Sequence, residues 1–272
     1  MKIGLLHPGA MGSRIGMALQ ENGHDVLWAS DGRSADTKAR AGLFQDVGAL
    51  DKLLDAADGV ISICPPEFAR ALAEQVAATG YAGLYVDANA VSPTTARHVQ
   101  AVIGEAYVDG GVIGPPPIHP GTTRLYLSGP RAAEVAPWFE AGALDALALD
   151  GEAVAASTLK MCFAAWTKGS AALLLNIRAL AETTGVTGDL LREWDISQPG
   201  LGQQSEGAAL GTAPKAWRFV AEMREIAQTF AAAGLPEGFH DGAAAVYERL
   251  SDLKDAEAPE FQQVLSSLCT AP

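Results

Sequence analysis

The N-terminal run HPGAMG contains two glycines whose spacing suits the binding of a phosphate group. Gly9 and Gly12 occupy the second and third positions of the pattern G-x-G-x-x-G, and His7 replaces the first glycine. In that pattern the second glycine lets the backbone approach a pyrophosphate, and the third lets a helix pack closely on a strand. The run follows a short apolar segment and precedes a helical pattern, so a phosphate would meet a helix N-terminus. The predicted cofactor-binding residues of this turn are Gly9, Ala10, Met11 and Gly12.

The segment LWASDGRS, in which the second predicted strand ends, carries groups suited to the adenosine ribose of a dinucleotide. Asp31 is an acidic residue of the kind that favours NAD. Ser30, Arg33 and Ser34 instead offer a cation and hydroxyls for the 2′-phosphate of NADP. Because such a cluster is unusual in a chain with 19 basic and 32 acidic residues, we expect NADP as cofactor, with NAD as the alternative.

The elements that position this turn follow from alternating strand-like and helix-like runs over the first ~150 residues. Parallel strands need crossover connections, and these are usually helices. The pattern therefore predicts an α/β fold with an N-terminal, doubly wound and largely parallel sheet of the Rossmann type. The predicted strands are Ile3–Leu6, Asp25–Ala29, Gly59–Cys64, Leu84–Val86, Tyr107–Val108 and Leu125–Leu127, with helices at Met11–Glu21, Ser34–Ala41 and Pro66–Ala78.

Beyond residue 150 the pattern becomes helical only. The stretch from Glu152 to about Thr184 contains no proline and predicts a single helix of about 33 residues, or ~50 Å. We therefore predict a dinucleotide-binding domain over residues 1–150 and an all-α domain over residues 151–272, joined by this helix. Further helices are predicted from a cap at Thr212 to a stop at Gly234, over residues 241–252 and over residues 259–268.

The composition limits the classes of partner. The formal net charge of −13 argues against a broad surface for nucleic acid or anionic membrane. The 3 cysteines are far apart, so neither a metal site nor a disulfide framework is expected. No segment has the pattern of a signal peptide or membrane span, which favours a cytoplasmic protein acting on a small molecule. The apolar content of the long helix suggests burial against the helices of a second subunit, and hence a homodimer.

Several stretches resemble the β-hydroxyacid dehydrogenases, the family that includes 3-hydroxyisobutyrate dehydrogenase and 6-phosphogluconate dehydrogenase. MKIGLLHPGAMGSRIGMALQENGHDV resembles the start of that family. VDANAVSPTTAR takes the place of its D-x-S-T-x-S-P substrate segment, and VDGGVIGPPPIHPGTTRLYLSGP that of its glycine-rich substrate segment. AASTLKMCFAAWTKG lies where the family has its catalytic lysine, and AEMREIAQTFAAAGLPEGFHDGAAAVYERL is similar to a C-terminal domain of phosphogluconate-dehydrogenase-like reductases. The resemblance covers essentially the whole chain.

This resemblance implies an NAD(P)-dependent oxidoreductase. Such an enzyme would transfer a hydride between the nicotinamide and a small, carboxylate-bearing hydroxy acid or its keto form, with Lys160 as the acid–base group. The residues predicted to contact the cofactor in this region are Cys64, Pro65, Pro66 and Asn89, and those predicted at the substrate are Asn89, Gly114, Pro115, His119 and Lys168.

The residues around Lys160 agree with that role. An ammonium group in the apolar run TLKMCFAAW is expensive to bury without a partner. Burial and nearby cations would lower its pKa from about 10.4 toward a working range. Lys168 follows two helical turns later on roughly the same face, where it would bind a substrate anion, lower the pKa of Lys160, or simply be a solvated lysine.

The chain departs from the family at the substrate residues. Asn89 and Ala90 stand where the family has a Ser–Thr pair, Ile113 replaces a serine, and Ala164 replaces the asparagine four residues after the lysine. In the family those polar groups orient the carboxylate and hydroxyl of the substrate. Two alternatives therefore remain: reduction of an imine or enamine on the same scaffold, and a non-catalytic module that senses a dinucleotide.

Overall fold

The computed structural model describes residues 1–254, 256 and 258–269. Contacts within the chain divide it into two units, Met1–Met161 and Cys162–Pro272. This division lies inside a long helix, whereas the domain boundary expected from the sequence, between residues 150 and 151, precedes that helix. The assignment of functions to residues 1–150 and 151–272 stays a prediction.

One sheet in the first unit contains the strands β1 (Lys2–Leu5), β2 (Asp25–Trp28), β3 (Gln45–Asp46), β4 (Gly59–Ser62), β5 (Leu84–Asp87), β6 (Tyr107–Ile113), β7 (Thr123–Ser128) and β8 (Leu144–Ala148). Their spatial order is β3-β2-β1-β4-β5-β6-β7-β8. The first six strands are parallel and follow the order of the Rossmann fold. β7 is antiparallel to β6, and β8 is parallel to β7. The predicted α/β fold class is therefore confirmed.

Helices cover both faces of this sheet because successive strand residues point to opposite sides. On one face, Ile15 and Leu19 pack with Ile3 and Leu5 of β1. The other face is covered by a second apolar cluster that includes Tyr85 of β5. The helices of this unit are α1 (Ala10–Glu21), α2 (Ala35–Arg40), α3 (Leu50–Ala56), α4 (Ala69–Ala78), α5 (Pro93–Ile103) and α6 (Ala132–Val135).

The long predicted helix is present as α7, which spans Ala155–Thr184. All regular structure described after it is helical, as expected. None of the helices in the described residues is long and apolar enough to cross a membrane. The remaining helices are α8 (Thr187–Ser197), α9 (Leu201–Thr212), α10 (Ala216–Ala232), α11 (Gly238–Glu248) and α12 (Phe261–Cys269).

One predicted helix start was wrong. Thr212 ends α9, and its hydroxyl donates a hydrogen bond to the carbonyl oxygen of Ala208 at 2.7 Å rather than capping α10. A 3₁₀ turn at Ala213–Lys215 separates the two helices. The predicted stop holds, because Gly234 follows the end of α10 with φ +71, a conformation that glycine adopts without strain.

Candidate active site

The glycine-rich turn before α1 contains two glycines that differ in the space available for a side chain. A Cβ at Gly12 would lie 2.3 Å from the carbonyl oxygen of His7 and 2.9 Å from Cγ2 of Ile63, so packing of the helix on the strand requires glycine there. A Cβ at Gly9 would meet no atom within 4 Å, and its φ of −71 suits any residue. Neither packing nor backbone conformation explains Gly9, but close approach of a ligand would.

The N-terminus of α1 is electrostatically suited to an anion. Gly9 is the N-cap residue, no side chain caps the helix, and the first turn contains no acidic residue. The first amide groups of a helix lack partners within the helix and carry the positive end of its dipole. A phosphate placed at this turn would therefore meet amide donors rather than competing carboxylates.

Arg33 and His7 lie together beside this turn. Nη2 of Arg33 donates a hydrogen bond to the carbonyl oxygen of Leu6, at the end of β1, over 3.2 Å. Burial, and secondarily the charge of Arg33, lowers the pKa of His7 to about 4, so the imidazole is neutral at physiological pH. Nδ1 of His7 and Nε of Arg33 are both buried and have no hydrogen-bond partner among the residues described. A buried donor without a partner is costly, and an anionic ligand would satisfy the guanidinium. The residues present therefore fit a nucleotide phosphate.

The other residues predicted at the ribose have partners within the protein. The hydroxyl of Ser34 caps α2 by accepting a hydrogen bond from the amide of Thr37 at 3.3 Å. A hydrogen bond from the Ser30 side chain is the main cause that lowers the pKa of Asp46. The amide of Asp31 donates to the carbonyl oxygen of Gly48 at 3.1 Å. These bonds fix the loop that carries Arg33, and direct contact of the two serines with a cofactor stays a prediction.

Asn89 joins the ends of β4 and β5. Its Oδ1 accepts a hydrogen bond from the amide of Cys64 at 2.5 Å, and its Nδ2 donates to Ser62 Oγ at 3.0 Å and to Asp87 Oδ1 at 2.6 Å. Asn89 is thus a buried tether for the segment after β4, where Pro65 and Pro66 lead into a 3₁₀ turn. Burial raises the pKa of the Cys64 thiol to about 12, so this residue can offer a ligand its backbone and a neutral thiol.

Two buried carboxyl groups lie side by side on β5 and β6, and the sequence analysis did not single them out. Asp87 and Asp109 are partners in the register of these parallel strands, and both side chains are buried. Burial, and to a lesser degree the charge of Asp109, raises the pKa of Asp87 to about 7, against hydrogen bonds from Asn89 that lower it. The only available signal was an acidic residue within each of two apolar strand runs, LYVD and YVDGGVI.

Asp109 connects β6 to the first turn of α7. Its Oδ2 accepts hydrogen bonds from the amide of Ser157 at 2.8 Å and from Ser128 Oγ at 2.9 Å. Its Oδ1 accepts hydrogen bonds from Ser157 Oγ at 2.5 Å and from the hydroxyl of Tyr107 at 3.2 Å. Burial raises the pKa of Asp109, while these hydrogen bonds lower it.

Lys160 lies one helical turn after this contact and is half-buried. Its Nζ donates a hydrogen bond to the carbonyl oxygen of Val112, on β6, at 2.7 Å. The backbones of β6 and α7 are close here, since a Cβ at Gly111 would lie 2.6 Å from the carbonyl oxygen of Ala156 and 3.2 Å from Cβ of Lys160. The strand therefore fixes both the helix and the amine of the predicted catalytic residue.

The predicted substrate loop after β6 approaches the first turn of α1. Gly114 has φ +127, and a Cβ there would lie 2.3 Å from the carbonyl oxygen of Thr122. The carbonyl oxygen of Pro115 accepts a hydrogen bond from Thr123 Oγ1 at 2.6 Å, whereas the side chain of His119 is exposed. An open depression of about 550 Å³ is lined by residues of this loop, of α1, of α2 and of the segment after α2: Ala10, Ser13, Arg14, Met17, Ala39, Arg40, Gly42, Leu43, Pro116 and Ile118.

Lys168 belongs to the helical unit, where its ammonium has partners. Nζ lies 2.8 Å from Oε2 of Glu222 and 5.1 Å from the centroid of the Phe219 ring. The Tyr247 hydroxyl donates a hydrogen bond to the carbonyl oxygen of Lys168 at 2.7 Å. These contacts satisfy the charge inside the helical unit, so a role of Lys168 toward a substrate anion stays a prediction.

Comparison with known proteins supports the fold. Residues 181–250 match a family model described as a domain of unknown function, DUF1932. Among curated proteins, no sequence matches this chain significantly. Similarity is instead found among solved structures.

A conserved hypothetical protein from Sinorhizobium meliloti is 24% identical and has a TM-score of 0.71, covering 99% of this chain and 96% of its own. The 3-hydroxyisobutyrate dehydrogenase of Mycobacterium tuberculosis, solved with L-serine, is 19% identical with a TM-score of 0.69 and covers 99% of both chains. A reductive aminase from Aspergillus terreus, in complex with NADPH and ethyl levulinate, is 15% identical with a TM-score of 0.57, covering 97% of this chain and 98% of its own.

These matches extend over nearly the full length of the chain, although every identity is low. What they share with this chain is the fold, as TM-scores of 0.57 to 0.71 over nearly the full length indicate. The resemblance noted in the sequence is confirmed at this level: the chain has the fold of the 3-hydroxyisobutyrate-dehydrogenase-like proteins, and residues 181–250 of its helical unit match the DUF1932 model.

Proposed function

We propose that this protein is an NAD(P)-dependent oxidoreductase that transfers a hydride between the nicotinamide and a small substrate, with Lys160 as the acid–base group. The observation that carries the proposal is the turn before α1, where the structure itself gives no reason for a glycine at position 9. Full-length similarity to a dehydrogenase and to an NADPH-bound aminase supports it.

NADP is the cofactor that the residues favour. The backbone of Gly9–Gly12 would hold the pyrophosphate, and the Arg33 guanidinium would hold the 2′-phosphate, because its Nε is buried without a partner among the described residues. NAD stays the alternative, since Asp31 offers a carboxylate at the same loop. The cofactor supplies or accepts the hydride, which leaves substrate binding and proton transfer to this chain.

Proton transfer is the task proposed for Lys160. In the reductive direction its ammonium donates a proton to the new alkoxide, and in the oxidative direction the neutral amine accepts the proton of the hydroxyl. The hydrogen bond to the carbonyl oxygen of Val112 holds Nζ beside β6, at the strand that leads into the loop of Gly114 and Pro115. The proposed proton-transfer group is therefore held at the strand that leads directly into the predicted substrate loop.

The substrate class proposed is a small carboxylate-bearing hydroxy acid or its keto form. The residues proposed to line its site are Asn89, Gly114, Pro115 and His119. Lys168 is kept as a further candidate for binding a substrate anion. Similarity to a 3-hydroxyisobutyrate dehydrogenase favours this class.

Reduction of an imine is the second candidate, and one observation favours it. Ala164 is fully buried four residues after Lys160, so no polar side chain is present at the position where hydroxyacid dehydrogenases have asparagine. A site with fewer polar groups suits a less polar substrate, and the similar protein from A. terreus is a reductive aminase.

A homodimer formed through the helical unit, in the cytoplasm, completes the proposal. Trp166, Leu173 and Leu180 are 72%, 60% and 65% exposed, and their spacing of seven residues places them on one face of α7. Exposed apolar stripes of this kind are typical of interfaces between subunits. Light scattering should give twice the chain mass, and Trp166→Asp should give the monomer.

Hydride transfer is the direct test of the proposal. The full chain is incubated with NADPH or NADP⁺ and a panel of small keto acids, hydroxy acids and amine–ketone pairs, and the absorbance of the reduced nicotinamide is followed. We expect turnover with at least one carboxylate substrate, lost in Lys160→Met. Turnover with amine–ketone pairs alone would support imine reduction, and tight cofactor binding without any turnover would overturn the catalytic proposal in favour of a sensor.

A further inference from the structure

Three of the four hydrogen bonds that the Asp109 carboxylate accepts come from Ser157 or from Ser128, which also contacts the start of α7; the fourth comes from Tyr107 on β6. Both the amide and the hydroxyl of Ser157 donate to it, at 2.8 Å and 2.5 Å. Ser128 donates to it from β7 and, through the same Oγ, accepts the amide of Ala156 at 2.9 Å. The carboxylate therefore binds, directly or through Ser128, two consecutive amides of the first helical turn, which have no acceptor inside the helix.

A negative charge at this position also stabilises the helix by electrostatics. The first turn of α7 contains no acidic residue of its own, so Asp109 on β6 supplies the anion that helix N-termini favour. Because the side chain is buried, solvent screens this interaction little. The first turn of α7 is thus fixed to β6 by charge as well as by hydrogen bonds.

This fixed turn directly precedes Lys160. Ser157 and Lys160 are three residues apart, which places them one above the other on the helix. The strand that contributes Asp109 also contributes Gly111, which allows close packing on α7, and Val112, whose carbonyl oxygen accepts the hydrogen bond from Lys160 Nζ at 2.7 Å. A shift of the helix start would break the geometry of that bond.

We propose that Asp109 is a positioning residue for Lys160: by anchoring Ser157 and, through Ser128, Ala156, it fixes the first turn of α7 so that the lysine amine stays at the carbonyl of Val112. This inference rests on the proposed function only for the consequence in catalysis. The anchoring itself concerns the structure of the chain, so it can be measured without a substrate.

The test is the chemical reactivity of the Lys160 amine. Trace acetylation with acetic anhydride, read by peptide mass spectrometry, gives the rate at Lys160 relative to the exposed Lys52 in the same molecule. Asp109→Ala should raise the acetylation rate of Lys160 relative to Lys52 roughly threefold or more, because local opening at the helix start exposes the Lys160 amine. Asp109→Asn should raise the ratio less than Asp109→Ala, because its Oδ1 can still accept the Ser157 amide while the charge and the second acceptor oxygen are lost.

Asp87→Asn is the matched control, because Asp87 is equally buried on the neighbouring strand and accepts its hydrogen bonds from Asn89 rather than from α7. It should leave the acetylation ratio of Lys160 to Lys52 unchanged.

If Asp109→Ala does not fold, as judged by circular dichroism, the double variant Ser128→Ala, Ser157→Ala replaces it. This variant removes three of the hydrogen bonds and should also raise the ratio. A folded Asp109→Ala or double variant with wild-type labelling overturns the proposal. If labelling changes while Lys160→Met keeps full turnover, the anchoring stands and the proposed mechanism fails.

Discussion

The glycine-rich turn before α1 and the junction of β6 with α7 satisfy their polar groups in opposite ways. At the turn, Nδ1 of His7 and Nε of the neighbouring Arg33, from the loop after β2, are buried without a hydrogen-bond partner among the described residues. At the junction, each oxygen of Asp109 accepts two hydrogen bonds, and Lys160 Nζ donates to a main-chain carbonyl. We therefore propose that a ligand completes the contacts of the turn, whereas the polar groups of the junction are paired within the protein.

The difference suits the chemistry proposed for each region. A cofactor has to enter and leave, so donors that only the ligand satisfies contribute to binding it. A proton-transfer group gains from a fixed position, because misplacement is costly in rate. Substitutions at the junction should therefore affect turnover, and those at the turn should affect cofactor affinity.

The largest effect is expected at Lys160. Lys160→Met should lower kcat by about 10²–10⁴, because the acid–base group is lost, while NADPH affinity changes only a few-fold. Steady-state kinetics and a separate NADPH titration measure the two quantities. Lys52→Met, at an exposed site on α3, is the control. Equal losses of turnover and of NADPH affinity would contradict the division between the two regions.

The next effect concerns the buried carboxyl group of Asp87. Its pKa is about 7 in the folded chain and about 3.9 when unfolded. Between these values the unfolded carboxyl has lost its proton while the folded one keeps it, so stability falls as pH rises. The difference of about three pKa units lowers the free energy of unfolding by about 4 kcal/mol at a pH above 7, relative to acidic pH.

Asp87→Asn should remove this fall, because the amide does not titrate. Urea unfolding at pH 5 and pH 8 measures the difference in the free energy of unfolding between the two pH values. Asp195→Asn, at an exposed site, is the control. A fall in the free energy of unfolding that is equally large in Asp87→Asn and the wild type would show that the group does not hold its proton.

Sequence patterns predicted the sheet well where strands are apolar, as in β1, β4 and β5. β3 was missed because Gln45 and Asp46 are both polar and exposed, and β8 because only its first residue, Leu144, is buried. Gly9, Gly12 and Lys160 could be proposed as site residues from the sequence because motifs are local in sequence, and their roles stay predictions. Asp109 was missed because its partner Ser157 lies 48 residues away, and only the register of the strands and the packing of α7 bring them together.

At the turn, Arg33 should determine the choice between the two dinucleotides. Arg33→Ala should weaken NADPH binding by roughly 10- to 100-fold, since a charge-assisted hydrogen bond contributes about 1.5–3 kcal/mol. NADH binding should change little. Titration of both nucleotides checks this, with Lys38→Ala on the exposed side of α2 as control. Parallel losses for NADPH and NADH would place Arg33 away from the 2′-phosphate.

The smallest effect separates the two glycines of the turn. Gly9→Ala should weaken NADPH binding by about tenfold or more while costing the fold at most ~1 kcal/mol, because no protein atom lies within 4 Å of the added carbon. Gly12→Ala should instead destabilise the fold by about 1–3 kcal/mol, since its Cβ meets backbone. Thermal unfolding and nucleotide titration of both variants measure this. Unchanged NADPH affinity in Gly9→Ala would mean that no ligand approaches this position.

Calorimetric titration of the wild-type chain with NADPH tests the central claim most directly. The account predicts saturable binding with a dissociation constant in the micromolar range, roughly 1–100 μM, and weaker binding of NADH. Absence of saturable binding of either nucleotide up to about 1 mM, by a chain that unfolds cooperatively, would contradict the claim that the turn before α1 holds a nicotinamide dinucleotide.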